Sequence, residues 1–168
     1  MKLYHGSNME IDRVDLSQCR PYKDFGKGFY CTTIYEQAVA MAKRVARIYS
    51  GVPVITEYVV DETALSGDLR VRIFDKPTME WAMFIMNNRS REFSDFASKD
   101  CNLDLKYDIV IGPIANDDLA LLFRTFENGL ITVETLEKEM EYKKLTDQYS
   151  FHTPRAVACL TKAGQHHV

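Results

Sequence analysis

Hydrophobic and polar positions follow two different periods along this chain, and the switches between them predict its elements. Lys2 to His5 is a short aromatic run of strand character, closed by the turn cluster Gly6-Ser7-Asn8. Met9 to Lys23 keeps no period because Asp12, Asp15, Ser17 and Pro21 interrupt it, so it reads as a loop with a positive tip at Arg20 and Lys23. Phe29 to Thr32 predicts a second strand. From about Tyr35 to Ile48, Ala38, Met41, Ala42, Val45 and Ile48 recur at helical spacing, with Thr33 as cap and Gly51 as stop.

Val52 to Asp61 is rich in β-branched residues and predicts a strand, with Leu69 to Phe74 a weaker one. Pro77 stands where a first helical turn tolerates proline, and Trp81, Phe84 and Ile85 pattern a helix over Met79 to Asn88. Asn87 to Asp104 is polar and charged and reads as an exposed connection. Tyr107 to Ile111 is a buried strand closed by Gly112-Pro113, and Asp117 caps a helix through about Phe126, with substrate contact by Asp117 or Asp118 as the alternative. Val133 to about Lys144 predicts a charged helix whose Leu136, Met140 and Lys143 stem form a narrow apolar stripe; its charge reads as a solvated face. Tyr149 to His152 is a last short strand and Pro154 to Leu160 a closing helix, and residues 161–168 form a flexible polar tail that carries His166 and His167. Strands and helices interleaved at irregular intervals favour α+β over a doubly wound α/β fold.

Composition narrows the picture without changing it. The 168 residues fit one domain, 1–168, and 46% hydrophobic with 27% charged residues is the balance of an ordinary globular protein. A net charge of −3 provides no general attraction to nucleic acid or to an anionic membrane. Cys19, Cys31, Cys101 and Cys159 form no CxxC pair and no zinc-type cluster, so they read as reduced thiols, and no metal is expected. No stretch has the apolar length of a signal peptide or a bilayer span, which makes the expected location cytoplasmic. The phosphate loop, the GxSxG elbow and the HExxH helix are all absent.

The stretch with most chemical interest is Asp24-Phe25-Gly26-Lys27-Gly28-Phe29-Tyr30-Cys31-Thr32-Thr33. Taken alone it fits either a tight turn into a core strand or a backbone that lies close against a planar ligand. His152 on its short strand reads as a packed or hydrogen-bonded histidine. In order along the chain, His5-Gly6-Ser7, Gly26-Lys27-Gly28-Phe29-Tyr30 and Gln148-Tyr149-Ser150-Phe151-His152 resemble the three signatures of the diphtheria-toxin and poly(ADP-ribose)-polymerase branch of ADP-ribosyltransferases. The chain is more closely similar still to an uncharacterised bacterial family of that superfamily, marked by a YHGS start, a DFGKGFY core and a YDIVIGP strand. The similarity extends over nearly the whole chain.

That resemblance implies a split pair of antiparallel β-sheets with surrounding helices, with NAD+ as co-substrate in the cleft between them. It implies that His5 hydrogen-bonds the adenosine ribose, that Gly6 offers its backbone to the nicotinamide carboxamide, and that Tyr30 stacks on the nicotinamide ring. Gly28 would give close approach, Ser7, Thr32 and Met41 would line the site, and Arg20 with Lys23 would meet the pyrophosphate. The catalytic set would be Gln148, Tyr30 and His5. A glutamate stands in that branch where this chain has Gln148, which can accept from a ribose hydroxyl but carries no charge. Ala38 and Met41 stand where the polymerases have a serine and a second tyrosine, so a hydroxyl from Thr32, Thr33 or Ser7 would have to replace the serine. Asp147 beside Gln148 would face the other way on a strand.

The implied activity is a mono-ADP-ribosyltransferase, an enzyme that cleaves the nicotinamide–ribose bond and transfers ADP-ribose to a protein or nucleic-acid acceptor. The alternatives are a non-catalytic NAD+ or ADP-ribose binding module, or an NAD+ glycohydrolase toxin whose charged helix docks a neutralising protein partner. No membrane partner is implied.

Overall fold

The computed structural model describes residues 1–91, 100–141 and 146–168, the side chains of residues 64 and 141 excepted. Among the described residues, seven strands form two sheets. β1 (Lys2–Ser7), β3 (Val54–Val60) and β7 (Leu160–His167) make an antiparallel sheet in the order β1-β3-β7. β2 (Phe29–Cys31), β6 (Gln148–Phe151), β5 (Ile109–Gly112) and β4 (Val71–Ile73) make a mixed sheet in that order, parallel only between β4 and β5. Five α-helices accompany them among the described residues: α1 (Tyr35–Tyr49), α2 (Met79–Arg89), α3 (Asp117–Glu127), α4 (Val133–Glu141) and α5 (Pro154–Val157). The fold is α+β, and none of these helices is long and apolar enough to cross a membrane.

Side-chain alternation sorts the elements into layers. Leu3, Tyr58 and Val60 from the first sheet meet Phe29, Cys31, Ile109 and Phe151 from the second, forming a core between the sheets. Tyr4 and Ile55 point outward onto α1, against Ala38 and Ala42. On the far face of the second sheet, Val110 and the loop residue Phe25 join Phe74, Trp81, Phe84, Leu119, Leu136 and Met140 in a second core. α2 is buried nearly all round, as a helix between a sheet and two further helices must be, and Trp81 satisfies its ring N–H on the Pro113 carbonyl at 3.2 Å. The β4-to-β5 crossover, which a parallel pair requires, carries this helix.

One close approach sets the outer layer. A Cβ on Gly6 would lie 2.1 Å from the Ala38 carbonyl oxygen, so α1 reaches β1 only because residue 6 is glycine and residues 38 and 42 are alanines. That tight contact turns Met41 and Ile48 away from the sheet, and both are exposed, against the expectation that they share the buried stripe. Nor does Thr33 cap α1; the N-cap is Ile34, without a side-chain bond, and the threonine hydroxyl is held by Asp147. Thr78 caps α2, so Pro77 precedes the helix, and Asn116 caps α3 in place of Asp117.

Two further expectations are corrected. Residues 161–168 are no flexible tail: β7 pairs along β3 from Val60↔Leu160 to Val54↔His167, with an irregularity between Glu57 and Tyr58. Ladder bonds come from the backbone, so a polar run such as Thr161 to His167 pairs as well as an apolar one at a sheet edge. Its side chains are used, too. His166 Nε2 lies 2.9 Å from the Tyr35 hydroxyl, His167 Nε2 is 3.1 Å from Glu10, and Gln165 Oε1 accepts from the Ile11 amide at 2.9 Å. The presumed exposed connection of residues 87–104 is buried at Asn88, Cys101 and Asn102, where Asn88 Oδ1 accepts from the Asn102 amide at 2.8 Å. Residues 92–99 of that connection, and residues 142–145 at the expected end of the charged helix, lie outside the described residues.

Deleting residues 161–168 uncovers the β3 edge. It is expected to lower the melting temperature by roughly 10 °C or more. Thermal unfolding followed by circular dichroism checks this; a truncated chain melting with the parent would mean that β7 contributes nothing.

Candidate functional site

Among the described residues the two sheets are joined by one backbone bridge, in which Tyr4 and Thr32 exchange hydrogen bonds of 2.8 and 2.9 Å. One residue beyond the bridge, His5 Nδ1 lies 2.6 Å from the Tyr30 carbonyl oxygen, and the ring stacks on Phe29 at 4.2 Å between centroids. Only a protonated Nδ1 can donate to a carbonyl. Burial lowers the His5 pKa, the carbonyl opposing it, and the resulting neutral ring offers a lone pair on Nε2, which has no partner among the described residues.

Tyr30 lies on the other face of β2, partly exposed. Its hydroxyl donates to the Gly26 carbonyl at 2.7 Å and accepts from the Phe25 amide at 3.1 Å. Burial, with Asp24 nearby, raises its pKa well above the ordinary phenol value, so the ring stays neutral. Gly26 adopts φ +92°, a conformation that glycine accepts without strain, and this bends the loop back over the tyrosine. On the neighbouring strand Ser150 pairs with Tyr30, which puts Gln148, two residues earlier, on the same face. Gln148 is buried; its Nε2 donates to Asp24 Oδ2 at 2.8 Å and to the Pro113 carbonyl at 3.1 Å. Tyr30 and Gln148 are thus both held by the loop 24–26, while His5 touches Tyr30 only at its carbonyl, from the Phe29 face of β2.

The remaining expected residues divide into those held near this line and those spent elsewhere. Gly28 is required by His152: a Cβ there would lie 2.6 Å from His152 Nδ1. That histidine bridges the Lys27 carbonyl at 2.9 Å and Ser150 Oγ at 2.8 Å, and burial pulls its pKa down to about 4. Gly6 stands in the β1–β3 ladder opposite Ile55, its open side filled by α1. Ser7 Oγ donates to the Met9 carbonyl, Thr32 Oγ1 to Asp147 at 2.5 Å, and Thr33 Oγ1 to the same carboxylate. Each hydroxyl expected to replace the missing serine therefore already has an acceptor. Met41 lies exposed on α1. Arg20 is stacked over the Tyr49 ring at 3.7 Å, and Lys23 is exposed.

Two carboxylates make contacts that the sequence did not assign. Asp147 ties β6 to the start of α1 through Thr32 and Thr33, while its carbonyl accepts from Gln37 Nε2 at 2.7 Å; it faces away from the Gln148 contacts, as strand alternation requires. Asp24 is buried and bonded to Arg89 as well as Gln148. Its only signal in the sequence is an acid before an aromatic-glycine run, and the partner that explains it is 65 residues away. A concavity of about 420 Å³ opens on the opposite face, lined by Thr33, Ile111, Pro113, Asp147 and Tyr149; a second of about 620 Å³ lies by Met1 and Cys159. Neither is lined by His5, Tyr30 or Gln148. No group of three or more metal-ligating side chains occurs among the described residues.

By its two sheets and flanking helices this is a mixed α+β protein. Residues 1–161 match the model of a family described as protein of unknown function (DUF3990), and the chain belongs to that family. No curated protein and no solved structure matches it.

Two outcomes follow from His152 and its glycine. Gly28→Ala forces a methyl into the His152 ring and is expected to destabilise the protein by about 2–4 kcal/mol, read from urea unfolding. Because the folded-state pKa of His152 is lowered from 6.5 to about 4, its contribution is complete above 6.5 and is lost as pH falls through that window. The loss is roughly 3 kcal/mol. Stability measured against pH should flatten over that range in His152→Gln, and an unchanged slope would refute the assignment.

Proposed function

We propose that this chain has an ADP-ribosyltransferase-like fold and acts on NAD+, releasing nicotinamide and transferring ADP-ribose to an acceptor. The observation that carries the reading is the linkage of its three signatures: His5 bonded to the Tyr30 carbonyl, and Tyr30 and Gln148 on one face of adjacent strands. The order β1, β2, α1 and β6, with two sheets parting at the Tyr4–Thr32 bridge, supports the same reading.

In that role, each residue has a defined part. The neutral His5 accepts a hydrogen bond from a ribose hydroxyl at Nε2, its other nitrogen being held by Tyr30. Tyr30, pinned by its hydroxyl to Gly26 and Phe25, provides a rigid ring for stacking against the positively charged nicotinamide. Gln148 accepts from a ribose hydroxyl through Oε1 while the glycosidic bond lengthens and positive charge builds on the sugar. As a neutral dipole it stabilises that charge less than a carboxylate does. Chain elongation, which demands more activation of the acceptor, is not part of the proposal; single transfer or hydrolysis is.

A specific observation favours a second reading, a non-catalytic NAD+ or ADP-ribose binding module. Asp24, the carboxylate in contact with Gln148, is already bonded to Arg89, Ala115 and Gln148 and is not free to act as a base. Nicotinamide release by purified protein separates the two. With NAD+ and candidate acceptors, His5→Ala and Tyr30→Ala should each reduce release by about tenfold or more. Binding by calorimetry without release would establish the module instead, and absence of both binding and release would end the NAD+ reading.

A further inference from the structure

Four donors converge on the Asp24 carboxylate. Arg89 Nε and Nη2 reach Oδ1 at 3.1 and 2.6 Å, and the Ala115 amide and Gln148 Nε2 reach Oδ2 at 3.0 and 2.8 Å. Gln148 Nε2 sends its second proton to the Pro113 carbonyl at 3.1 Å, an oxygen that also takes the Trp81 ring N–H. Two acceptors, a carboxylate oxygen and a backbone carbonyl, admit only the nitrogen end of the amide. Oε1 must turn the other way. There it accepts no hydrogen bond among the described residues, yet it is not one of the fully buried unpaired atoms, which are Gln37 Oε1 and Arg72 Nε, so it reaches solvent.

We propose that Asp24 is a positioning residue that locks the Gln148 amide with its oxygen outward, so that position 148 takes a neutral glutamine and rejects glutamate. The ligand contact made by Oε1 rests on the function proposed above; the orientation of the amide does not. A carboxylate at 148 would set one anion against another at Asp24 and an oxygen against the Pro113 carbonyl, in a buried site. The charged and titratable groups around it are Asp24, Arg89 behind Asp24, and the Tyr30 hydroxyl on the Phe25–Gly26 loop; the Asp147 carboxylate is turned to Thr32 and Thr33. Arg89 is committed to Asp24 and the Ala115 carbonyl. Gln148 is therefore the residue that Asp24 demands, and not a weakened glutamate.

Replacing Asp24 by asparagine removes the lock. With Arg89 retaining the asparagine oxygen, the new nitrogen faces both the Ala115 amide and Gln148 Nε2, so two donors lose their shared acceptor and the Gln148 amide is held only by the Pro113 carbonyl. A ligand hydroxyl then loses its fixed acceptor.

The test is a double-mutant cycle of Gln148→Glu and Asp24→Asn, followed by thermal unfolding from pH 5 to 8 and by calorimetric titration with NAD+. Gln148→Glu should melt roughly 10 °C below the parent at pH 8. The deficit should shrink toward pH 5, because the introduced carboxyl has a raised folded-state pKa and loses stability as pH rises through it. Adding Asp24→Asn should recover at least about half of the deficit at pH 8, since it removes the anion that the new carboxylate faces. Asp24→Asn alone should weaken NAD+ binding by about tenfold. Additive losses in the cycle, a pH-independent Gln148→Glu deficit, or faster nicotinamide release by Gln148→Glu would each overturn the proposal. If the parent protein binds no NAD+, the functional reading falls alone, and the unfolding cycle still decides the orientation of the amide.

Discussion

A carboxylate taken out of water must be surrounded by donors, and the way Asp24 meets that demand organises the site. Its four hydrogen bonds draw together the loop before β2, the end of α2, the segment after β5 and the first residue of β6. All four are distant in sequence, and the carboxylate adds polar ties to the packing of Phe25, α2 and Ala115 in the core. The same carboxylate selects which end of the Gln148 amide it faces, so a structural ion pair controls the chemistry offered at the surface. Burying a charge costs stability unless every partner is present, which makes Asp24 and Arg89 a coupled unit.

A second constraint comes from steric closeness. Gly6 lets α1 lie on β1, and Gly28 makes room for the His152 ring. Both glycines belong to the motifs that suggested a nucleotide-type cleft, yet the space beside each is filled by the protein itself. Close approach was the reading at Gly28, and what approaches there is an imidazole; at Gly6 it is a helix backbone. Asp108 behaves in a related way at the other end of β6. Burial opposes its charge, but Arg70 and Thr153 hold its carboxyl down to about 2, so the strand end is tied by a fully bonded anion.

The elements built on strong periodicity were legible: β3 with its β-branched run, α2 around Trp81, and β5. Their caps were less so. Thr33, Pro77 and Asp117 all fit capping rules locally, but Asp147 recruits the Thr33 hydroxyl, and Thr78 and Asn116 reach the free amides of α2 and α3. Of the site, the neighbourhood of His5 and Tyr30 could be anticipated from the order of the motifs. Asp24 and Arg89 could not, because nothing local marks an arginine at a helix end as the partner of an acid 65 residues earlier.

The sequence by itself determined the α+β class, the main core helix and strands, and the residue types at the junction, since periodicity and glycine placement act locally. It also determined that position 148 is neutral. Only the tertiary structure decided that residues 161–168 form an edge strand, because backbone pairing is indifferent to their polarity and depends on β3 being there to receive them. Only the tertiary structure decided which way the Gln148 amide points. An amide has two chemically different ends, and the choice belongs to the acceptors that folding brings around it, Asp24 and the Pro113 carbonyl.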